Sequence, residues 1–120
     1  MASILIMDDE APIRHLLRSI LEADGHEVLE APDGRAGLAL YRKTPTDLVI
    51  TDILMPDRDG MEVTLELTRE FLDARVIAMT GASGGQNFLN VAKLFGARHL
   101  LQKPFGIQEV RNAVNYTLMH

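Results

Sequence analysis

Short apolar runs alternate with longer segments of helical periodicity along the whole chain. The apolar runs predict buried strands, because each has four or five residues and is bounded by turn-forming residues. They lie at residues 3–7, 27–31, 48–51, 75–79 and 98–102. The longer segments predict helices, because their apolar residues recur three and four positions apart. They lie between Pro12 and Gly25 and at residues 33–43, 60–72, 86–95 and 106–118.

Residues 60–72 are the one segment whose pattern is ambiguous. Met61, Val63, Leu65 and Leu67 alternate with a period of two, as in a strand. The length of the segment and its Glu, Leu and Arg content favour a helix, and we interpret it as one. The chain then has five β-α units, which predicts an α/β fold. Its five-stranded parallel sheet would be doubly wound, with helices on both faces and right-handed crossovers.

Length and composition narrow the class of protein. The 120 residues fit one domain spanning 1–120, and we expect no output domain after the last helix. With no cysteine, disulfides and thiolate catalysis are excluded. The net charge of −5 argues against non-specific nucleic-acid binding. No apolar run approaches the roughly 20 residues that span a membrane, and the start lacks a basic signal-peptide region, so we expect a cytoplasmic protein.

Polar residues follow four of the five predicted strands. They are Asp8-Asp9, Asp52, Thr80 and Lys103. Each alone has an ordinary structural interpretation, such as a helix N-cap for an Asp or a solvated side chain for a Lys. Because parallel strands of such a sheet end at the edge where ligands bind, we expect the four signals to converge there. Together they indicate a ligand site.

Three carboxylates at one edge indicate a cation. Two carboxylates about 5 Å apart repel by about 3 kcal/mol at an effective dielectric constant of about 20, and Glu10 adds a fourth acid nearby. Oxygen ligands at an aqueous edge favour Mg²⁺, and Mn²⁺ accepts similar ligands. Lys103 could pair with one of the acids and then hold a phosphoryl oxygen.

The same residues carry a resemblance to a known family. The motifs that carry it are Ile-Leu-Ile-Met-Asp8-Asp9-Glu10, Thr51-Asp52-Ile-Leu-Met-Pro56, Asp59-Gly60, Met79-Thr80-Gly81 and Gln102-Lys103-Pro104-Phe105. With these motifs the chain, from Ile4 to about Leu118, resembles a response-regulator receiver domain of the CheY-like kind. The resemblance implies the flavodoxin-like, CheY-like form of the doubly wound fold.

The resemblance also implies roles for the residues. Asp52 would accept a phosphoryl group from a phosphohistidine, and Lys103 and Thr80 would hold the phosphoryl oxygens. The implied Mg²⁺ ligands are Asp9, Asp52 and the backbone carbonyl of Leu54, with Asp8 acting through water. The implied partners are a sensor histidine kinase or histidine phosphotransfer protein and a downstream protein. The downstream protein would read the face formed by the predicted 86–95 helix, the fifth strand and the last helix.

The chain departs from the family pattern at three places. Where the family often carries a Tyr or Phe switch, three residues before the Lys, this chain has Leu100 beside His99. Leu54 and Ala82 cannot position a hydrolytic water, so we expect slow self-dephosphorylation. Residues 95–102 lack the acidic pair of the winged-helix transcription factors, so we expect a monomer or a weak dimer. We expect no direct nucleic-acid or membrane partner.

Other functions remain as alternatives. A phosphorylation-independent interaction module could keep the fold and use only its surfaces. A phosphatase of the haloacid-dehalogenase type would need a second Asp two residues after Asp52, and position 54 is Leu. A flavin carrier shares the fold class, but the chain has no Trp and no evident hydroxyl-rich phosphate loop. We expect no catalysis beyond the chain's own phosphorylation and dephosphorylation.

Overall fold

Strands and helices alternate through the computed structural model, which describes residues 1–53, 60–81, 90 and 93–120. The strands are β1 (Ser3–Met7), β2 (Glu27–Ala31), β3 (Leu48–Asp52), β4 (Val76–Thr80) and β5 (His99–Gln102). The helices are α1 (Ala11–Ala23), α2 (Gly34–Lys43), α3 (Gly60–Glu70) and α4 (Ile107–Met119). All five predicted strands and these four helices are confirmed. The predicted 86–95 helix falls largely outside the described residues.

The ambiguous segment is a helix, α3. Its buried residues are Met61, Val63, Thr64 and Leu67, spaced as one face of a helix, whereas Leu65 is only partly buried. Met61, Val63 and Leu67 lie on this one helical face although they are an even number of residues apart. This spacing explains why the sequence also resembles the alternation of a strand. No helix within the described part of the chain is both long and apolar enough to cross a membrane.

The five strands form one parallel sheet in the order β2-β1-β3-β4-β5. The register places Met7 beside Thr51, and Asp52 beside Met79. The residues that follow β1 and β3 therefore lie next to each other at the carboxyl edge. The strand order reverses between these two strands, and such a reversal opens a crevice in doubly wound folds.

Apolar side chains on both faces of the sheet form two core layers. In β1, Leu5 and Met7 pack with α2 and α3 on one face, and Ile4 and Ile6 pack with α1 and α4 on the other. Four of the five β1 residues are buried because both faces are covered, as parallel sheets require. The two layers hold β1 in place and thereby fix the position of Asp8, which directly follows this strand.

The ends of the helices follow their sequence signals. Pro12 lies in the first turn of α1, where its missing N–H is not needed. Gly25 follows the end of α1 at φ +87°, a conformation that a side chain would strain. At the start of α2, the Asp33 carboxylate accepts the Ala36 N–H at 2.8 Å. Asp33, predicted as the first residue of this helix, is therefore its N-cap.

Candidate functional site

Four carboxylates meet at the carboxyl edge of β1 and β3. Asp8, Asp9, Glu10 and Asp52 each offer an oxygen, and these oxygens all lie within 4.8 Å of one another. Asp8 is fully buried and Asp52 is 7% exposed, whereas Asp9 and Glu10 face solvent. The site is thus anchored by two buried acids and open on the side of two exposed ones. Such a set of oxygen donors fits a hard divalent cation.

Lys103 crosses the sheet edge to these acids. Its Nζ lies 3.0 Å from Asp8 Oδ2, 3.1 Å from Asp52 Oδ2 and 3.5 Å from Glu10 Oε1. Its backbone N–H donates to the Thr80 carbonyl at 2.7 Å, which ties the residue to the end of β4. The peptide bond between Lys103 and Pro104 is cis. The ammonium therefore balances part of the negative charge of the pocket.

The environment of Lys103 stabilises its charged form. Burial lowers the pKa of the ammonium, but hydrogen bonds and charges from Asp8 and Asp52 outweigh burial and raise the pKa above its ordinary value of 10.5. The side chain is 14% exposed, so its attraction to the acids is only partly screened by water. Lys103 is a fixed positive charge at neutral pH.

The structure brings together most of the residues predicted for the site. Asp8, Asp9, Asp52 and Lys103 share one pocket. Thr80 ends β4, next to β3, and is buried at 1% exposure. The predicted carbonyl ligand at Leu54 lies outside the described residues, as does Ala82.

Asp8 is held at each of its polar atoms. Its N–H donates to the Ala31 carbonyl at 3.2 Å, and its carbonyl accepts Arg14 Nη1 at 2.7 Å. Its Oδ1 accepts the Glu10 N–H at 2.8 Å, and its Oδ2 accepts the Lys103 ammonium at 3.0 Å. A buried carboxylate needs such partners to stay charged. Asp8 is therefore fixed at both its backbone and its carboxylate.

Sequence reasoning missed the residues behind Asp8. Arg14 donates to Glu30 Oε1 at 3.2 Å, and Arg18 donates to the other oxygen of the same carboxylate. Burial alone would raise the pKa of Glu30, but its hydrogen bonds and charge pairs with Arg18 and Arg14 outweigh burial and lower the pKa below 4.5. The signal in the sequence was the spacing of two arginines four residues apart on α1. Their target could not be identified before α1 was packed against β2.

Leu100, at the usual position of the aromatic switch, is half-buried on β5. Its neighbour His99 is also half-buried, and burial together with the charge of Lys93 lowers the pKa of the imidazole below 6.5. The His99 ring lies 6.1 Å from the ring of Tyr116 on α4, which is 53% exposed. The aromatic surface at this edge thus comes from His99 and Tyr116 instead of residue 100.

Comparisons with known proteins agree with this geometry. The sequence model of the response regulator receiver domain family matches residues 4–115 of this chain. The chain is 38% identical over 116 residues to the chemotaxis protein CheY of Bacillus subtilis, covering 96% of each. It is 37% identical over 115 residues to the probable transcriptional regulator ycf27 of Galdieria sulphuraria, a match that covers 96% of this chain and 44% of that protein. The chain therefore spans less than half the length of this second relative.

Solved structures show the same architecture. The structure of a response regulator receiver domain protein from Clostridium thermocellum superposes with a TM-score of 0.90 at 34% identity. The superposition covers 99% of this chain and 95% of that one. The doubly wound, CheY-like fold predicted from the sequence is confirmed.

Proposed function

This chain belongs to the response regulator receiver domain family, and from that premise we propose that it is a phosphoacceptor switch in a two-component phosphorelay. Asp52 would accept a phosphoryl group from a sensor histidine kinase, a histidine phosphotransfer protein or a small phosphodonor, in the cytoplasm. The phosphorylated form would bind a partner protein differently. The observation that carries the proposal is the contact of the Lys103 ammonium with Asp8 at 3.0 Å and with Asp52 at 3.1 Å.

The proposed reaction is a transfer between a nitrogen and an oxygen. A carboxylate oxygen of Asp52 attacks the phosphorus of the phosphohistidine and forms a P–O bond. The P–N bond breaks, and its electron pair stays on the imidazole nitrogen of the donor. The chain's part in this step is to place the carboxylate and to offset the charge that surrounds it. Asp52 suits this part because it is largely buried yet lies at the open edge of the sheet.

A metal ion belongs to the proposal because the donor set fits one. Asp9 and Asp52, with the backbone carbonyl of Leu54, would hold Mg²⁺, and Asp8 would act through a bound water. The four carboxylates within 4.8 Å support this assignment, since Mg²⁺ prefers oxygen ligands and keeps several waters. When bound, the ion would neutralise charge on the phosphoryl oxygens. Mn²⁺ shares the preference for oxygen and could substitute.

Lys103 and Thr80 would receive the phosphoryl group. The Lys103 ammonium has three N–H donors; it donates to Asp8 and Asp52 and lies 3.5 Å from Glu10. One of them could turn to a phosphoryl oxygen without leaving the pocket. The Thr80 hydroxyl, at the end of β4, would donate to a second oxygen. The two contacts would favour one conformation of the sheet edge over another and so shift their populations.

The test of this proposal is an intact mass measured after incubation with acetyl phosphate and Mg²⁺. We expect one added phosphoryl group on the wild-type chain. We expect none on Asp52→Asn, because an amide cannot form the acyl phosphate, and none when Mg²⁺ is removed by a chelator. Asp52→Asn is a matched control, since it keeps the shape of the side chain.

Other outcomes would point elsewhere. Addition to Asp52→Asn would mean that another residue is the acceptor. Binding of Mg²⁺ without any addition would mean a switch that only a kinase can phosphorylate. If neither phosphate nor metal is bound, the chain is an interaction module that uses only its surfaces.

The readout surface is the second part of the proposal. A groove between β5 and α4 is lined in part by His99, Leu100 and Tyr116. Lys93 and Arg98 lie at an adjoining cavity that shares these three residues. The two cations favour a partner that presents acidic groups, although the chain as a whole is acidic.

Phosphorylation should therefore change the β5–α4 surface. Amide NMR spectra recorded with acetyl phosphate and Mg²⁺ should show shifts at His99, Leu100 and Tyr116, which lie away from the acidic pocket. The same additions to Asp52→Asn should leave these signals unchanged, because Mg²⁺ binding alone does not deliver a phosphoryl group. Shifts confined to residues around the acidic pocket would contradict this readout surface.

A further inference from the structure

A charged side chain of α1 contacts the backbone of Asp8, next to the acidic pocket. Arg14, in the first turn of α1, donates from Nη1 to the Asp8 carbonyl at 2.7 Å. Its Nε donates to Glu30 Oε1 at 3.2 Å, so one planar guanidinium bridges β2 and the residue that follows β1. Both side chains of this ion pair are only 17% exposed. A guanidinium makes two such contacts from one rigid planar fork, whereas the donors of an ammonium rotate on a flexible stem.

We propose that Arg14 is a positioning residue for the metal site: it fixes the Asp8 backbone and thereby the spacing of the carboxylates at 8, 9 and 10. The inference rests on the function proposed above, because it concerns the same pocket. Arg14 itself would touch neither metal nor phosphate. Its effect would pass through the short segment from Asp8 to Glu10, whose acids repel one another when no cation is bound.

Fixing the backbone matters because a loose segment would relieve that repulsion by moving its acids apart. A cation would then have to gather the carboxylates, and the cost of ordering them would reduce its affinity. With Asp8 held at its carbonyl and its carboxylate, the acids stay close before a cation arrives. Partners of metal ligands that act this way typically affect metal affinity 10- to 100-fold.

Because Arg14 is charged, the direction of the change in Mg²⁺ affinity distinguishes an electrostatic effect from a positioning effect. Removing a positive charge near a cation site should tighten Mg²⁺ binding, if electrostatics alone decided the outcome. Losing a positioning contact should weaken it. A decrease in affinity on Arg14→Gln therefore cannot come from the charge change, which acts in the opposite direction.

Arg18 provides a matched control. It donates to the same Glu30 carboxylate and to a backbone carbonyl, but that carbonyl belongs to Val28, at 2.9 Å, and not to Asp8. Arg18→Gln therefore removes the same charge and the same kind of ion pair one helical turn further along. Arg18 also pairs with Glu22 at 3.2 Å on its own exposed helix face, so the two variants differ in that surface contact and in the contact with the pocket.

The experiment is a calorimetric Mg²⁺ titration of the whole chain, its Arg14→Gln variant and its Arg18→Gln variant. We expect the dissociation constant to rise about tenfold for Arg14→Gln, at the lower end of the range for partners of metal ligands. For Arg18→Gln we expect less than about a twofold change. Equal constants for Arg14→Gln and wild type would overturn the inference, and so would equal weakening in both variants. Should Arg14→Gln fail to fold, Arg14→Lys replaces it, since Lys keeps the charge but lacks the planar fork.

A second readout works without metal. The Glu10 N–H donates to Asp8 Oδ1 at 2.8 Å, so its hydrogen exchange reports whether the segment is held. Metal-free Arg14→Gln should exchange this amide several-fold faster than wild type, and Arg18→Gln should not. If the wild type binds no Mg²⁺ but this difference appears, the proposed function fails while the positioning of the segment stands. If Mg²⁺ binds and the amide is unaffected, the positioning inference fails alone.

Discussion

Lys103→Met should lower the free energy of unfolding by about 3 kcal/mol in the absence of divalent cations. The ammonium is the partner of two buried carboxylates, at 3.0 Å from Asp8 and 3.1 Å from Asp52. Removing one member of a buried ion pair leaves an uncompensated charge and typically costs 3–5 kcal/mol. We expect the lower end of that range because Lys103 and Asp52 keep some contact with water. Urea unfolding followed by far-ultraviolet circular dichroism measures the change.

Mg²⁺ should reverse much of this loss. A cation in the pocket would replace the missing positive charge, so saturating Mg²⁺ should stabilise Lys103→Met more than the wild type. Lys43→Met is the matched control, because Lys43 is exposed in the last turn of α2 and its loss should cost less than about 1 kcal/mol. Equal stability of wild type and Lys103→Met without Mg²⁺ would show that the ion pair contributes no net stability.

The pH dependence of this ion pair follows from the pKa of Lys103. Burial lowers that pKa, but Asp8 and Asp52 outweigh burial, so the folded-state pKa lies above the ordinary 10.5. A group whose pKa is raised on folding stabilises the protein fully below its unfolded pKa, and the contribution is lost as pH rises through the folded value. The difference between wild type and Lys103→Met should therefore be present at neutral pH and shrink as the pH rises above about 10.5.

The sequence predicted the layout of the site because the layout follows from the fold. Once β1 and β3 are adjacent parallel strands, the residues at their carboxyl ends must lie at one edge, and Asp8 and Asp52 do. The prediction of Mg²⁺ chemistry needed only the types of these residues. The same logic covers Lys103, which follows β5 and still reaches both acids because its side chain is long.

The contacts behind the site could not be predicted in this way. Arg14 reaches the Asp8 carbonyl because α1 packs at a particular angle and depth against β1 and β2. Periodicity identifies the buried face of α1, but it does not give the depth at which that helix sits. Long polar side chains at the margin of the face, such as Arg14 and Arg18, find partners that only the packed structure reveals.

A close approach between α2 and β1 was equally hidden in the sequence. A Cβ placed on Gly37 would lie 2.0 Å from Met7 Sδ and 2.4 Å from Met7 Cγ. Met7 is 1% exposed, so its side chain could move aside only within the packed core. Gly37 is therefore favoured by packing: the Met7 side chain fills the space that a side chain on residue 37 would need. Met7 also directly precedes Asp8, so this contact supports the strand end that carries the site.

Gly37→Leu should accordingly destabilise the chain by about 2 kcal/mol. Adding volume to a well-packed core costs about 1–3 kcal/mol and occasionally more, and the gain in helix propensity over Gly, up to about 1 kcal/mol, offsets only part of the cost. Ala39→Leu is the matched control, because Ala39 is exposed on the same helix and should change stability by less than about 0.5 kcal/mol. Both changes are measured by urea unfolding.

A double variant tests whether the cost comes from Met7. Met7→Ala removes the atoms that the new side chain would meet, so Gly37→Leu combined with Met7→Ala should lose less stability than the sum of the two single changes. Additive losses would mean that the introduced leucine side chain is strained by other neighbours, such as Ala31, whose Cβ lies 3.5 Å from the added Cβ position. A loss smaller than the sum would show that the Gly37–Met7 approach sets the distance of α2 from the strand that leads into Asp8.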